Sequence, residues 1–140
     1  LEVAVGETQS CALLSFGRVK CWGNSYGSGY GDTNHRGDAA DEMGAFLPVV
    51  DFGTSLVKQL TAGLFTTGAC VLLEDWTVKC FGWQHRGVLG TQDMDHRGIA
   101  EGEMGDDLPA ILLGTSDVVR ITSGHHRACA VFADGKMKCW

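Results

Sequence analysis

The sequence predicts an all-β protein built from a repeated strand unit, and two observations carry that expectation. The stretch CALLSFGRVKCWG at 11–23 returns as CVLLEDWTVKCFG at 70–82 and as CAVFADGKMKCW at 129–140. In each copy the two cysteines stand ten positions apart, and the copies begin at 11, 70 and 129, 59 residues apart. The second observation is the pattern between the copies, where apolar residues fall in short runs broken by turn residues, with no period of 3.6. Glycine supplies 20 of the 140 residues and proline only 2.

Each unit opens on a short apolar run ending in glycine: LEVAVG at 1–6, then LVKQLTAG at 56–63 and DVVRITSG at 117–124. These read as leading strands that stop at Gly6, Gly63 and Gly124, with two extra residues before the cysteine of the second copy. The cysteine stretch follows as a hairpin. In the first copy two apolar runs flank Ser15-Phe16-Gly17, and in the third they flank Ala133-Asp134-Gly135, so glycine supplies the positive φ of a three-residue turn. The second copy has Glu74-Asp75-Trp76, which puts Trp76 where glycine is wanted and predicts a different or strained turn.

A turn centred on Phe16 sets Cys11 opposite Cys21 and Leu13 opposite Val19 on one face, with Ala12/Lys20 and Leu14/Arg18 on the other. The same register pairs Cys70 with Cys80 beside Leu72/Val78, and Cys129 with Cys139 beside Val131/Met137. Opposed residues of a non-hydrogen-bonded pair hold their Cβ atoms near disulfide distance, which predicts Cys11–Cys21, Cys70–Cys80 and Cys129–Cys139. Closing each such loop contributes roughly 2–3 kcal/mol on the chain-entropy account. Reduced cysteines serving as small core residues are the alternative. Zinc is not indicated, since no CxxC or clustered Cys/His spacing occurs.

After each hairpin comes a glycine-rich passage, 24–31 and 83–90, and then a long polar loop, 32–46 and 91–107. The loops share words: His35-Arg36-Gly37 with His96-Arg97-Gly98, and Glu42-Met43-Gly44 with Glu103-Met104-Gly105. Each ends in Leu-Pro and an apolar run, 49–55 or 110–116, which reads as an outer edge strand whose proline lacks a needless donor. Four strands per unit, apolar on both faces and repeating at this period, predict antiparallel blades of a β-propeller: two complete blades and part of a third. The units run approximately 1–55, 56–116 and 117–140 in a single segment, which is too few to close a ring. Because the pattern is cut at Leu1 and at Trp140, the segment reads as part of a longer chain.

The formal charge of −6 and pI near 5.2, with no accumulated basic patch, exclude nucleic acid as the expected partner. No apolar run approaches the roughly 18 residues of a membrane span, and no signal peptide is visible. Six cysteines, all in pairs, favour an oxidising compartment, extracellular or at the cell surface.

The repeat resembles the regulator of chromosome condensation repeat family, whose blades combine a leading strand ending in glycine, a "CALL"-like strand and a "G-x-V-K-x-W-G" strand. The residues that carry the likeness are Gly6, Leu13, Leu14, Gly17, Val19, Trp22, Gly23, Asn24 and Gly31 in the first copy. Gly63, Leu72, Leu73, Val78, Phe81, Gly82, Leu89 and Gly90 follow in the second, and Gly124, Val131, Gly135, Met137 and Trp140 in the third. The resemblance covers essentially the whole chain and implies a seven-bladed ring. The paired cysteines look like its secreted or surface branch. Two features depart from the family: Gln9 and Arg127 stand where a histidine is common, and the loops are long. Its best-known activity, nucleotide exchange on a small nuclear GTPase, depends on a wedge and loop set that this chain does not match.

A rigid, non-enzymatic interaction and assembly module that binds protein partners through its loops is therefore the expected function, without a cofactor. A carbohydrate-binding propeller, or an intracellular regulatory propeller of exchange-factor or ligase-associated type, are the alternatives. Tyr26, Tyr30 and Trp83 in the glycine-rich passages are candidates to stack on a sugar or anchor a partner, or else to pack between blades. Arg36 and Arg97 complete the candidate set, with Arg36 expected to pair with Glu42 and a methionine to plug each loop onto its blade. The acidic loop residues lack the alternating register of a calcium site and read as a solvated surface. Arg36-Gly37-Asp38 spells an integrin-type tripeptide, but its counterpart is Arg97-Gly98-Ile99, so the match is taken as coincidence. His125 and His126 read as ordinary rim residues.

Overall fold

The computed structural model describes residues 1–24, 26–63, 67–114 and 117–140. Three antiparallel sheets follow one another along the chain. The first is β1 (Glu2–Val5), β2 (Gln9–Leu13) and β3 (Val19–Gly23), and the second is β4 (Val57–Thr61), β5 (Gly68–Leu73) and β6 (Val78–Gly82). The third is β7 (Val118–Gly124), β8 (Arg127–Phe132) and β9 (Met137–Cys139). Two short 3₁₀ turns, Ser15–Gly17 and Gly105–Asp107, are the helical turns among the described residues.

The hairpin register is the one the spacing predicts. Cys11 faces Cys21, Cys70 faces Cys80 and Cys129 faces Cys139, flanked by Leu13/Val19, Leu72/Val78 and Val131/Met137. All three pairs are bonded, with Cα atoms 4.0–4.1 Å apart, and no described cysteine is free. Phe16 and Gly17 both take left-handed φ in the first turn, and Gly135 does so in the third. Trp76 adopts φ +68 in the second turn. Asp75 braces that turn by accepting the Thr77 amide at 2.9 Å, while Lys58 lies 3.5 Å over the indole. A local side-chain bond and a cation on the ring thus support a backbone shape that glycine would adopt without cost.

The fourth strand of each unit is a correction. The sheets have three strands, and the outer run of the first unit meets its sheet at a single bridge, Val50 to Val19. Its counterpart meets the second sheet through Ala110 and Lys79, with the Ile111 amide on the Val78 carbonyl at 2.9 Å. Proline supplies no donor on one side of that bridge. On the other side Asp51 folds back to accept the Gly53 amide at 2.8 Å, with Gly53 at φ +87, so the run turns away before a ladder can form. The two extra residues read before Cys70 fall largely on 64–66, and the end of the second outer run on 115–116; both lie outside the described residues.

Sheet stacks on sheet. One core cluster joins Cys11, Leu13, Val19 and Cys21 to Leu60, Val71, Leu73 and Phe81 of the second sheet. The other joins Cys70, Leu72, Val78 and Cys80 to Ile121, Ala128, Ala130 and Phe132 of the third. The cysteine face of each sheet therefore packs on the opposite face of the next. Every residue of β5 and β6 is buried because the middle sheet is covered on both sides.

Candidate binding cleft at the sheet rim

The long loops are docked by a repeated set of bonds. Arg36 exchanges backbone bonds with Gly23 at 2.8 and 3.3 Å, and Arg97 does the same with Gly82 at 2.8 and 3.1 Å, each extending its sheet by one bridge. A Cβ at Gly82 would collide with the Thr67 carbonyl, so only glycine admits this approach. The ion pairs differ from the expected one. Arg36 binds Asp32 with both Nη atoms, at 3.0 and 2.8 Å, and Arg97 binds Asp93 at 2.7 Å. Glu42 instead accepts the amides of Gly37, Asp38 and Ala39, and Glu103 those of Ile99 and Ala100. The carboxylate six residues after the arginine caps the loop backbone, while the one four residues before it has the reach for a bidentate fork.

Met104 closes its loop onto the first core cluster, whereas Met43 lies beside Gly37 of its own loop and stays 41% exposed. The sequence reading passed over a third device, the lysine of each V-K-C or M-K-C triplet. Lys20 donates to the Gly44 carbonyl at 2.7 Å, Lys79 to Gly105 at 2.8 Å and Lys138 to Leu113 at 2.7 Å. The signal was present in the recurrence of lysine at one strand position, but its partners lie 24–26 residues away and only the fold brings them in.

The Arg36 fork holds the Asp32 carboxyl below its ordinary range. A carboxylate with a depressed folded pKa adds stability above its unfolded value of about 3.9 and loses it as pH falls through the folded value. Loop docking is accordingly expected to persist at pH 5 and to fail only below about pH 4, read by the backbone amide signals of Arg36 and Gly23. Asp32→Asn should loosen the loop at neutral pH at a global cost on the order of 1 kcal/mol, because the pair is part-buried and ties down a surface loop.

The candidate residues separate into two places. Tyr30 is spent inside the first unit: its hydroxyl accepts the Cys21 amide and faces the carbonyls of Cys21 and Pro48, all at 3.0 Å. The Arg36 guanidinium lies 4.1 Å over its ring, and burial raises the phenol pKa. Arg36 and Arg97 serve their own loops through the forks above.

Tyr26 and Trp83 meet at a cleft. Their rings stand edge to face at 5.4 Å, and Trp83 stacks on His96 at 4.2 Å. His96 is oriented by the Gln84 amide, which donates to its Nδ1 at 2.9 Å. Trp83 is anchored through its own amide on the Thr67 carbonyl at 2.7 Å, so the indole is held on both sides while 40% of the residue stays exposed. Glu7, Asn24, Thr67, His85 and His126 complete a cleft of ≈ 440 Å³ with these two rings. His126 lies at φ +54 in the two-residue turn between β7 and β8, between the rings of His85 at 5.1 Å and His125 at 4.3 Å. Burial, and then the neighbouring His125, His85 and Arg86, hold its pKa down, so the ring is neutral at pH 7. Of the two histidines that the sequence places on the rim, His126 is on the wall of the cleft. Among the described residues no three His, Cys, Asp or Glu side chains are placed to hold a metal ion. None of the described helices is long and apolar enough to cross a membrane. An exposed indole with a second ring edge-on and a carboxylate at the rim can hold a side chain or a sugar face by stacking and hydrogen bonds.

Stacked three-stranded sheets with loops gathered at one rim define the class, a segment of β-propeller. No family model matches the chain. Protein pim1 of Schizosaccharomyces pombe is 30% identical over 151 residues that span the whole chain and 26% of pim1. Among solved structures, yeast RCC1 (Prp20) bound to Kap60 matches 99% of the chain and 31% of its own length, at TM-score 0.65 and 17% identity. The ectodomain of the receptor kinase CR4 from Physcomitrella patens matches 99% of the chain and 28% of its own length, at TM-score 0.51 and 18% identity. These likenesses bear out the resemblance to the regulator of chromosome condensation repeat family that was read from the repeats. It spans about a quarter of the curated relative and about a third of the solved yeast structure.

Proposed function

We propose that this chain is a non-catalytic, disulfide-stapled propeller segment that binds protein partners at the rim, with the Tyr26–Trp83 cleft as the contact point. The observation that carries the reading is the exposed, doubly braced indole of Trp83. Rigid aromatic anchors of this kind dominate binding energy because little side-chain entropy is lost on contact. Yeast Prp20 in its complex with Kap60 supports a protein-binding use of the fold. The segment belongs, on this reading, to a larger and seven-bladed ring, in keeping with the share of its relatives that it spans. Its three disulfides and the CR4 ectodomain support an oxidising, surface-exposed setting rather than a reducing one.

The edge-to-face pair of Tyr26 and Trp83 also favours one second reading, a glycan stacked on the indole. A random-peptide display library and a glycan array, each probed with the wild type and with Trp83→Ala, separate the two. The expected result is a set of peptides enriched by the wild type, with binding weakened at least about tenfold in Trp83→Ala, the size of a single hot-spot residue. Glycan binding that vanishes in Trp83→Ala would replace the protein reading, and indifference of both arrays to Trp83 would end both. Thiol alkylation of the protein taken directly from its producing cells tests the compartment: six unreacted cysteines are expected, and six alkylated ones favour the intracellular alternative.

A further inference from the structure

Charge around the Trp83 cleft runs opposite to that of the chain. The sequence carries 17 acidic residues against 11 lysines and arginines. At the cleft the balance inverts: His85 and His126 line it with a single carboxylate, that of Glu7. His125 and Arg86 stand close enough to act on His126 as well. Glu7 and Tyr26 come from the first unit, Trp83 and His85 from the second, and His126 from the third, so the cleft straddles the middle sheet.

The His126 ring lies 5.1 Å from that of His85 and 4.3 Å from that of His125, on a backbone at φ +54. Its buried Nδ1 has no hydrogen-bond partner among the described residues. A buried imidazole nitrogen ordinarily finds a donor or an acceptor. The charged groups that act on the ring are His125 of its own turn, His85 and Arg86 of the passage after β6, and Glu7 of the turn after β1. Arg127, next in the chain, is exposed. The three bases push an added proton away and only Glu7 attracts it. A carboxylate brought into the cleft would add negative charge and supply an acceptor for a protonated ring.

Resting on the cleft reading above, we infer that the partner is an acidic peptide segment whose binding tightens in mild acid. Its aromatic or aliphatic side chain lies on the Trp83 indole and its carboxylate against His85 and His126. The sign follows from proton linkage. Burial and basic neighbours keep His126 neutral at pH 7 in the free protein, and a carboxylate beside it favours the charged form. Binding therefore takes up a proton, and affinity rises as pH falls, by up to about tenfold per unit for each proton. It falls again below about pH 4, where the peptide carboxylate is itself protonated.

Peptide display at about pH 6 and about pH 8 tests this on the oxidised 140-residue chain, with a glutamate–tyrosine copolymer as the direct probe and a lysine–tyrosine copolymer as the control. The enriched peptides should carry aspartate or glutamate beside an aromatic or aliphatic residue. The acidic copolymer should bind at least about tenfold more tightly at the lower pH. His126→Asn, which tolerates the same left-handed backbone, should cut that ratio to about twofold. His85→Gln, at an exposed place, should lower it independently. Glu7→Gln should tighten binding at the higher pH, and Trp83→Ala should weaken it at both. Melting curves matched to wild type at each pH serve as the folding control. Trp83-dependent peptides without acidic residues would overturn this inference and leave the cleft reading standing, whereas peptides indifferent to Trp83 would end both. Acidic binding whose pH ratio survives the two histidine changes together would also overturn it.

Discussion

Phe81→Ala is expected to destabilise the protein by about 3–5 kcal/mol, the range for deleting a fully enclosed aromatic ring. Phe81 is 0% exposed and lies in the first seam, its ring 5.5 Å from that of Phe52. Gly29 is pressed so closely on it that a Cβ there would stand 2.8 Å from the ring. The wall on that side is backbone held by its own loop, which cannot collapse into the space the ring leaves, so the cavity cost adds to the lost transfer energy. Equilibrium urea unfolding should show the loss as a lower midpoint with an unchanged slope, and calorimetry as a fall in Tm on the order of 10–20 °C. The equivalent Trp22 is half-buried on the outer side of the first sheet, and Trp22→Ala should cost far less. A cost below about 1 kcal/mol for Phe81→Ala would mean that the first two sheets do not pack as described.

The second large effect is expected at the central disulfide. Replacing both Cys70 and Cys80 by alanine should cost about 2–4 kcal/mol, because the unfolded chain regains the entropy of an open loop. Loop length is the same in all three hairpins, so chain entropy alone predicts three equal losses. Burial separates them. Cys70 and Cys80 are enclosed between the second and third sheets beside Leu72 and Val78, whereas Cys139 is exposed at the open face. The two enclosed pairs, Cys11–Cys21 and Cys70–Cys80, should therefore cost more to remove than Cys129–Cys139 and yield later to a graded reductant. Mass spectrometry after stepwise reduction and alkylation reads the order directly. Reduction of Cys70–Cys80 ahead of Cys129–Cys139 would contradict the stacking.

Much of the hairpin geometry was legible because it depends on neighbours a few residues apart. Strand alternation and a three-residue turn place Cys11 across from Cys21, and the same arithmetic holds in the other two copies. Trp76 at the glycine place of its turn pointed to a different or strained turn, and the residue takes a left-handed φ there. The outer run was misread for a related reason: apolar content and a leading proline fit an edge strand, yet Asp51 and Gly53 bend the backbone away after one bridge. The Arg36 pairing failed on reach, since Asp32 and Glu42 lie at similar sequence distances and only the path of the loop decides which carboxylate faces the guanidinium.

The sequence by itself determined the repeat, the strand order within each hairpin, the cysteine pairs and the all-β class, because each follows from local spacing and the alternation of a pleated strand. Tertiary structure alone decided that Tyr26 and Trp83 share a cleft with His85 and His126, that Tyr30 is spent inside the first unit, and that three lysines tie down distant carbonyls. It also decided which sheet faces are covered. Those outcomes rest on groups tens of residues apart in the chain, and their meeting is set by how one sheet stacks on the next.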